Sequence, residues 1–385
     1  MAEFIPYSTQ SIEASDVDAV MAVLRSPNLT QGPAVVTFEE AFAARHAVSH
    51  AVAVSNATAG LHIACLALGV GPGSRVWTSP NSFLASANCA LYCGAEIDFV
   101  DIDPDSRNMS VAVLAAKLET ASREDRLPNV VIPVDFAGLP SDLAEIRELA
   151  DRYGFAILQD ASHATGATYL GAPAGSRYAD ASVFSFHAVK IVTTAEGGMV
   201  TTNDPARARR LQLLRSHGMT READEMEDAP EGGWDYDQIL LGYNYRITDM
   251  QAALGSAQLS RLDAMHTARV ARADRYDRLF AGLGLKLPQR RQDRVSAWHL
   301  YAVELGEGMP DRAGVFAGLR TAGIGVNVHY IPIHTQPYYR KLGFARGDFP
   351  AAEAYYARAI SLPLFPAMTD GQQDRVVETL AGLIR

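Results

Sequence analysis

Short apolar runs alternate with helical patterns between residues 50 and 160, and this alternation constrains the fold more than any other feature of the sequence. The runs are rich in Val and Ile, and the segments between them are long enough to form helices. Such alternation is typical of βαβ units, which build a largely parallel sheet with helices on both faces. The predicted strands are residues 51–55, 75–78, 97–101, 130–135 and 155–160.

The rest of the chain predicts a second, smaller domain. Two further strands and a helix are expected at residues 181–186, 198–202 and 205–216. The acidic, glycine-containing segment 222–238 is predicted to be an exposed loop, with a mobile cover over a site as the alternative. One long helix is expected over 248–283, with an apolar stripe formed by Leu254, Leu259, Leu262 and Met265. Alternation resumes at residues 298–305, 311–322, 324–329 and 369–384. We therefore predict a large α/β domain over 1–245, followed by a bridging helix and a small C-terminal α/β domain over 246–385.

The charge balance argues against a partner held by a general electrostatic field. With 34 basic and 44 acidic residues the formal charge is −10, so we expect neither nucleic acid nor an anionic membrane as a partner. A hydrophobic content of 48% with 20% charged residues excludes a disordered chain. No apolar run has the length of a bilayer span, and the chain opens with the acidic Glu3 instead of a basic region. These features predict a cytoplasmic protein.

The three cysteines, Cys65, Cys89 and Cys93, do not indicate a disulfide framework. Their odd number in a long chain fits a reducing compartment. Cys89 and Cys93 are four residues apart in an apolar helical stretch, and no further ligands follow at the spacing of a metal site. We predict three small buried side chains and no metal.

A lysine stands between two predicted strands in the segment 184–190, which is followed by small polar residues and glycines. In such a place the backbone turns sharply and a ligand can come close. The amine of lysine forms a Schiff base with an aldehyde once its charge is suppressed, so Lys190 is a candidate for this chemistry. Taken alone, a loop lysine is far more often a solvated charge.

The predicted strand 155–160 ends in a carboxylate, Asp160. Open α/β sheets bind ligands at the carboxyl ends of their parallel strands, so this carboxylate is directed at a site. Against the pyridine nitrogen of pyridoxal phosphate, a carboxylate keeps the ring protonated and makes it an electron sink. The alternative is that Asp160 only caps a helix after the strand.

A binding site for the cofactor phosphate is expected at residues 55–58, just before a helix that begins near Ala59. Free backbone N–H groups at the start of the helix and side-chain hydroxyls come together there. Helix capping alone would explain Ser55 or Thr58. Phe83, after the next strand, is placed to stack on a pyridine ring, although a core position is the simpler interpretation. One predicted sheet carries, in chain order, the phosphate-binding turn, the aromatic residue, the carboxylate at a strand end and the lysine. Together these features favour a pyridoxal phosphate enzyme.

These segments resemble the DegT/DnrJ/EryC1/StrS nucleotide-sugar aminotransferases nearly end to end, through 160–164, 185–190 and 242–246. The resemblance implies a fold type I pyridoxal phosphate-dependent transferase of the aspartate aminotransferase superfamily, with a mostly parallel sheet in the large domain. Within the family, the chain is most similar to the branch that makes UDP-4-amino-4,6-dideoxy-N-acetyl-β-L-altrosamine in pseudaminic acid biosynthesis, with L-glutamate as amino donor. The segments that mark this branch are 28–32, 87–94, 216–219 and 328–330.

Matched position by position, the resemblance implies that Lys190 holds the cofactor covalently and that Asp160 faces its pyridine nitrogen. Phe83 would stack on the ring and His163 would lie beside it. Asn244 would reach the cofactor phosphate in the partner subunit, so a homodimer would share its active sites. The remaining phosphate contacts would be Ala57, Thr58 and Ser185. The positions matched to sugar-nucleotide contacts are Tyr7, Pro27, Asn28, Leu29, Thr30, Asn327, Val328, His329 and Tyr330.

The chain departs from the common family pattern in three places. The wider family often has Ala-Gln at 162–163 and Pro-Thr at 188–189, and both departures agree with the altrosamine branch. Gln159 replaces a commonly acidic residue, which leaves open what binds near Asp160. Relatives that dehydrate sugars have histidine in place of the lysine, so Lys190 disfavours dehydration.

Two other functions stay open at this point. The first is an enzyme of the same family that acts on a GDP- or dTDP-linked keto sugar, with the same cofactor residues and different sugar contacts. The second is a regulatory or binding protein on a retired enzyme scaffold. Such a protein would be expected to have lost Lys190 or Asp160, and both are present.

Overall fold

The computed structural model describes residues 3–385, so the first two residues of the predicted large domain lie outside the described part. The strands are β1 (His50–Val54), β2 (Arg75–Thr78), β3 (Glu96–Phe99), β4 (Val130–Ile132), β5 (Ala156–Asp160), β6 (Thr168–Tyr169), β7 (Ala172–Pro173), β8 (Ala181–Ser185), β9 (Gly198–Thr202), β10 (Met219–Thr220), β11 (Asp237–Gln238), β12 (Arg294–Val295), β13 (Tyr301–Glu304) and β14 (Ala359–Leu362). The helices are α1 (Ala14–Leu24), α2 (Pro33–His46), α3 (Ala57–Ala67), α4 (Ala85–Tyr92), α5 (Val111–Arg123), α6 (Leu143–Tyr153), α7 (Pro205–Arg215), α8 (Asp249–Ser260), α9 (Leu262–Leu279), α10 (Arg312–Thr321), α11 (Pro337–Arg340), α12 (Pro350–Arg358) and α13 (Asp370–Leu383).

A seven-stranded sheet with the order β1-β9-β8-β5-β4-β2-β3 forms the centre of the fold. Five neighbouring strands, from β8 to β3, run parallel, whereas β9 is antiparallel to both β1 and β8. The predicted mostly parallel α/β sheet is therefore confirmed. The connection from β8 back to β9 contains no helix, and it carries Lys190.

Helices cover both faces of this sheet, as β4 shows. Val130 and Ile132 are buried in a cluster with residues of α3, α4 and α7. Val131, between them, is buried in another cluster with residues of α5 and α6. Successive side chains of a strand point to opposite faces, so a strand covered on both faces needs apolar residues at every position. This explains the uninterrupted apolar runs of the sequence.

The prediction of one continuous helix over 248–283 is wrong, because α8 and α9 meet at Arg261, where the backbone leaves the helical conformation (φ −103°, ψ 6°). The Arg261 side chain is bound to Glu13 at 2.6 Å and to the buried Asp16 of α1. A buried carboxylate destabilises the fold unless a cation pairs with it. The packing of α1 at this junction therefore favours an arginine between α8 and α9, where its guanidinium pairs with Asp16.

The C-terminal part of the chain has its own core around the antiparallel pair β13 and β14. The predicted strand 324–329 forms only isolated bridges, at Ile324 and Asn327, and β14 was not predicted. Ile5 is buried in this same core and pairs with Ile324, so the beginning of the chain packs with its end. The division at residue 245 stays a prediction.

Two smaller predictions concern the loop 222–238 and the cysteines. The loop is largely exposed, its last two residues form β11, which pairs with β10 just before the loop, and Arg209 Nε donates to Glu225 Oε1 at 2.7 Å. All three cysteines are free and buried. Within residues 3–385, no helix combines the length and the apolar character that a membrane crossing requires.

Candidate active site

A cavity of about 760 Å³ opens at the carboxyl ends of β5 and β8, beside the first turn of α3. Twelve of the predicted site residues come together in its wall, although they are spread over more than 300 positions of the chain. These are Tyr7, Ala57, Thr58, Phe83, Asp160, His163, Ser185, Lys190, Asn327, Val328, His329 and Tyr330. The structure thus shows where they lie, and their roles stay predictions.

Lys190 lies in the loop between β8 and β9, in a turn closed by the hydrogen bond from its backbone N–H to the His187 carbonyl at 2.8 Å. The side chain is half-buried in the cavity wall. Burial lowers the pKa of Lys190 to about 8, against the opposing effect of the Asp160 charge. Near neutral pH an appreciable fraction of the amine is therefore uncharged, and this is the form that attacks an aldehyde.

Asp160 is the last residue of β5 and is almost completely buried. Its carboxylate accepts hydrogen bonds from the Ser162 backbone N–H at 3.1 Å and from Ser86 Oγ at 2.6 Å. Turns, not a helix, follow the strand, so capping of a helix does not explain this carboxylate. Asp160 is instead held at the cavity wall by these two hydrogen bonds.

The first turn of α3 forms one end of the cavity. The helix begins at Ala57, earlier than the predicted start near Ala59, and Asn56 is its N-cap, because Asn56 Oδ1 accepts from the Ala59 N–H at 2.8 Å. The first N–H groups of a helix have no acceptor within it, so those of Ala57 and Thr58 remain available for an anion. A Cβ at Gly198 would lie 2.8 Å from the Ala57 nitrogen, so glycine lets β9 approach this turn.

Histidines line another part of the cavity. The rings of His163 and His299 lie 4.3 Å apart, and Tyr330 Oη is 3.2 Å from His163 Nε2. Burial lowers the pKa of both histidines well below the ordinary value, and the nearby Lys190 charge adds to this. The Nδ1 atoms of both are buried and have no hydrogen-bond partner among residues 3–385. Two neutral imidazoles thus keep polar atoms available beside the cavity.

His329 lines the same cavity, with Nδ1 2.8 Å from Ser361 Oγ and its ring 5.9 Å from that of Tyr7. Burial, aided by the Lys190 charge, lowers the pKa of His329 to about 4. The imidazole is neutral at ordinary pH. It is therefore suited to hydrogen bonding with a substrate and not to supplying a positive charge.

Five predicted site residues lie outside this cavity: Asn244, Pro27, Asn28, Leu29 and Thr30. All five are exposed. The Asp249 N–H donates to the Leu29 carbonyl at 3.0 Å, which holds that segment at the start of α8. Asn244 and residues 27–30 therefore do not line the cavity of their own subunit.

The sequence analysis included Asn56 in the phosphate-binding segment 55–58 but did not assign it the capping role, and Ser86 and His299 are among the residues that it missed. Asn56 had a signal, because asparagine is a preferred N-cap residue before a helix. Ser86 and His299 had none, since a buried serine within a helix and a histidine before a strand are ordinary components of a core.

The residues present fit pyridoxal phosphate. The first turn of α3 would hold the phosphate, Asp160 would face the ring nitrogen, Phe83 is 58% exposed in the cavity wall and so is free to stack, and Lys190 would hold the aldehyde carbon. When bound, this cofactor supplies an electron sink that stabilises a carbanion next to the transferred nitrogen. The unpartnered Nδ1 atoms of His163 and His299 are consistent with a ligand beside them.

Comparisons with known proteins agree with this interpretation. The model of the DegT/DnrJ/EryC1/StrS aminotransferase family matches residues 10–381. The spore coat polysaccharide biosynthesis protein SpsC of Bacillus subtilis is 38% identical to this chain, covering 99% of it and 97% of SpsC. Helicobacter pylori PseC, an aminotransferase of pseudaminic acid biosynthesis, has a similar structure, with a TM-score of 0.90, 29% identity and 99% of each chain covered. The pyridoxal phosphate form of the putative sugar aminotransferase Spr1654 from Streptococcus pneumoniae has a TM-score of 0.88 and 31% identity, covering 99% of this chain and 98% of Spr1654.

Proposed function

Because the chain belongs to the DegT/DnrJ/EryC1/StrS aminotransferase family, we propose that it transfers the amino group of L-glutamate to carbon 4 of a UDP-linked 4-keto-6-deoxy-N-acetylhexosamine. The predicted enzyme class, a pyridoxal phosphate-dependent nucleotide-sugar aminotransferase, and its cofactor are confirmed by the family and its solved members. The proposed product is UDP-4-amino-4,6-dideoxy-N-acetyl-β-L-altrosamine, for pseudaminic acid biosynthesis. A cytoplasmic location, which three free buried cysteines favour, belongs to the same proposal.

The observation that carries the proposal is the meeting of Lys190 and Asp160 in one cavity with five of the nine residues matched to sugar contacts. Lys190 Nζ takes the proton from the α-carbon of glutamate and, in the reverse half-reaction, delivers a proton to carbon 4 of the sugar. Asp160 would hold the ring nitrogen of bound pyridoxal phosphate in its protonated form.

The sugar nucleotide must be recognised by local donors, because its diphosphate meets a chain of net charge −10. Tyr7 and His329 lie on one side of the cavity, and Tyr330 contacts both His163 and Phe83. Their position next to the cofactor residues supports contact with the sugar. The selection of UDP rests on the resemblance of these positions to the altrosamine branch, and the similarity to PseC supports a role in pseudaminic acid biosynthesis.

We expect the UDP-linked N-acetyl 4-keto-6-deoxy-L-arabino-hexose to be turned over fastest in a panel of 4-keto nucleotide sugars assayed with L-glutamate. His329→Ala should slow the sugar half-reaction, measured in single turnovers, and leave the glutamate half-reaction unchanged, since the imidazole is placed for the substrate. His266→Ala is a matched control, because His266 Nε2 bonds the Ser296 carbonyl and lies outside the cavity wall. Equal losses in both halves for His329→Ala would place that histidine at the cofactor or in the fold.

The similarity to SpsC supports a second candidate, an aminotransferase acting on another nucleotide sugar that serves a surface polysaccharide. This enzyme would keep the same cofactor residues and differ in its sugar contacts. Faster turnover of a GDP- or dTDP-linked keto sugar in the panel would establish it in place of the first.

A homodimer with shared sites is part of the proposal. Asn244 is exposed and outside its own cavity, and the large apolar side chains of Trp234 and Leu241 nearby in the sequence are 73% and 79% exposed. Exposed apolar side chains of this size can be buried at an interface between subunits. In the proposed dimer, Asn244 would reach the cofactor phosphate of the neighbouring subunit, as the family resemblance implies.

We expect a mixture of Lys190→Ala and Asn244→Asp proteins to regain activity that neither homodimer has. In a hybrid dimer one site carries both changes and the other carries none, so random subunit exchange should restore up to about one quarter of the parental activity. The exchange is verified with differently tagged subunits and native mass spectrometry. If verified hybrids stay inactive, Asn244 acts within its own chain.

A further inference from the structure

The side chain that bonds Asp160 comes from α4 and not from the neighbouring strand residue. Ser86 Oγ donates to Asp160 Oδ2 at 2.6 Å, and Ser86 is completely buried. Gln159, the adjacent residue in β5, points elsewhere, since its amide bonds Asp135 at 2.6 Å and Ser182 at 2.9 Å. The hydrogen bonding of Asp160 that the sequence left open is therefore supplied by Ser86.

The direction of the hydrogen bonds follows from the number of protons. Ser82 Oγ lies 2.6 Å from Ser86 Oγ, and either atom could donate. A hydroxyl carries one proton, and that of Ser86 is used on Asp160, so Ser82 must donate to Ser86. The chain thus runs from Ser82 through Ser86 to Asp160. With the Ser162 N–H on Oδ1, both carboxylate oxygens accept, which fits an ionised group with lone pairs left for a ligand.

The same turn of chain also places the aromatic residue predicted to stack on the cofactor. The Ser86 N–H donates to the Phe83 carbonyl at 3.2 Å, at the start of α4. Ser82, Phe83 and Asp160 all line the cavity. The first turn of α4 therefore positions both the Phe83 ring and the Ser86 hydroxyl that orients the Asp160 carboxylate. A shift of this turn would change the position of the ring and the orientation of the carboxylate together.

We propose that Ser86 is a positioning residue, which directs the Asp160 carboxylate at the ring nitrogen of pyridoxal phosphate, and that Ser82 supports it through the outer hydrogen bond. The proposal rests on the role of Asp160 in the proposed function and is independent of the sugar. Ser86 does not touch the reacting atoms and acts through Asp160. Removal of its hydroxyl leaves Oδ2 without its charge-assisted bond.

The test compares four variants of the full-length protein: Ser86→Ala, Ser82→Ala, Ser86→Thr and Ser176→Ala. Ser176→Ala is the matched control, because the buried Ser176 Oγ donates to the Pro173 carbonyl at 2.6 Å, away from the cavity. For each variant we measure the dissociation constant of pyridoxal phosphate, the visible absorbance of the bound cofactor as a function of pH, the rate of the glutamate half-reaction and the melting temperature.

Ser86→Ala should raise the dissociation constant of the cofactor about tenfold, as expected when a hydrogen bond to a charged group is lost. It should also shift the pH dependence of the visible absorbance and slow the glutamate half-reaction. Ser82→Ala should do the same to a smaller extent, and Ser86→Thr, which keeps the hydroxyl, should restore the parental values. Ser176→Ala should change at most the melting temperature.

Parental cofactor affinity and an unshifted absorbance profile in Ser86→Ala would overturn the proposal, as would a melting-temperature change shared with Ser176→Ala and no other effect. Should Ser86→Ala not fold, Ser86→Cys replaces it, because a thiol is a similar size and a weak donor. Since every readout uses the cofactor or glutamate, inactivity towards the UDP-linked sugar would refute the proposed substrate and leave this result standing.

Discussion

Replacement of Lys190 by alanine should reduce transamination by at least about 100-fold, the lower end of what a positioned acid/base contributes. The variant should also lose covalent attachment of pyridoxal phosphate, because the amine in the cavity wall is removed. Turnover is measured with glutamate and the keto sugar, and attachment by borohydride reduction and peptide mapping. Lys286→Ala is the control, since the Lys286 amine forms a surface ion pair with Asp105 at 2.9 Å.

The pH dependence gives an independent check on the same residue. Burial places the pKa of Lys190 at about 8, so the amine of the cofactor-free protein is protonated below that pH and neutral above it. Only the neutral amine reacts with an aldehyde, so the rate of covalent capture of pyridoxal phosphate should rise as the pH increases through about 8. A rate that falls over this range, or near-parental turnover by Lys190→Ala, would contradict the assignment.

Asp160→Asn should keep the shape of the site and remove the charge that holds the ring nitrogen protonated. We expect weaker cofactor binding, and a deprotonation of the glutamate α-carbon slowed by about 100-fold, the size of effect seen when a preorganised electrostatic contact is removed from a site. The half-reaction is followed by stopped-flow absorbance after glutamate is mixed with holoenzyme. This predicts a larger loss in rate than in folding stability.

Asp204→Asn separates this effect from a merely structural one. Asp204 caps α7, with Oδ1 accepting from the N–H groups of Ala206 at 2.8 Å and Arg207 at 3.1 Å. Asparagine caps a helix about as well as aspartate, so this variant should retain both rate and stability. An Asp160→Asn protein that behaves like Asp204→Asn would leave Asp160 with only a local structural role.

The strands of the large sheet could be predicted to within a few residues. The prediction for β2 and β9 matches the observed bounds, and β4 ends at Ile132, three residues before the predicted end. Buried strands depend on a local pattern of apolar residues, which is visible in the sequence. The small domain was less predictable, because β14 follows directly on α12 and pairs along its length with β13. Its identity as a strand depends on that distant partner.

The candidate site likewise contains residues that the sequence indicated and contacts that it did not. Lys190 and Asp160 could be predicted as site residues because Asp160 ends one predicted strand and Lys190 follows another, and the carboxyl ends of strands in such a sheet form one edge. The break at Arg261 was not visible, since it depends on a buried carboxylate in α1. The pairing of His163 with His299 was equally hidden, because nothing near either histidine in the sequence indicates the other.

The sequence by itself determined the layered α/β architecture and the cofactor, and it predicted the two residues that would carry the chemistry, because periodicity and position at strand ends are local properties of the chain. Only the tertiary structure decided how the carboxylate is held. Ser86 and Asp160 are 74 residues apart and meet through a bond of 2.6 Å, which requires α4 to pack against the sheet in one register. Hydrogen bonds weaken steeply with distance and angle, so such contacts are set by packing between distant segments and leave no pattern in the sequence.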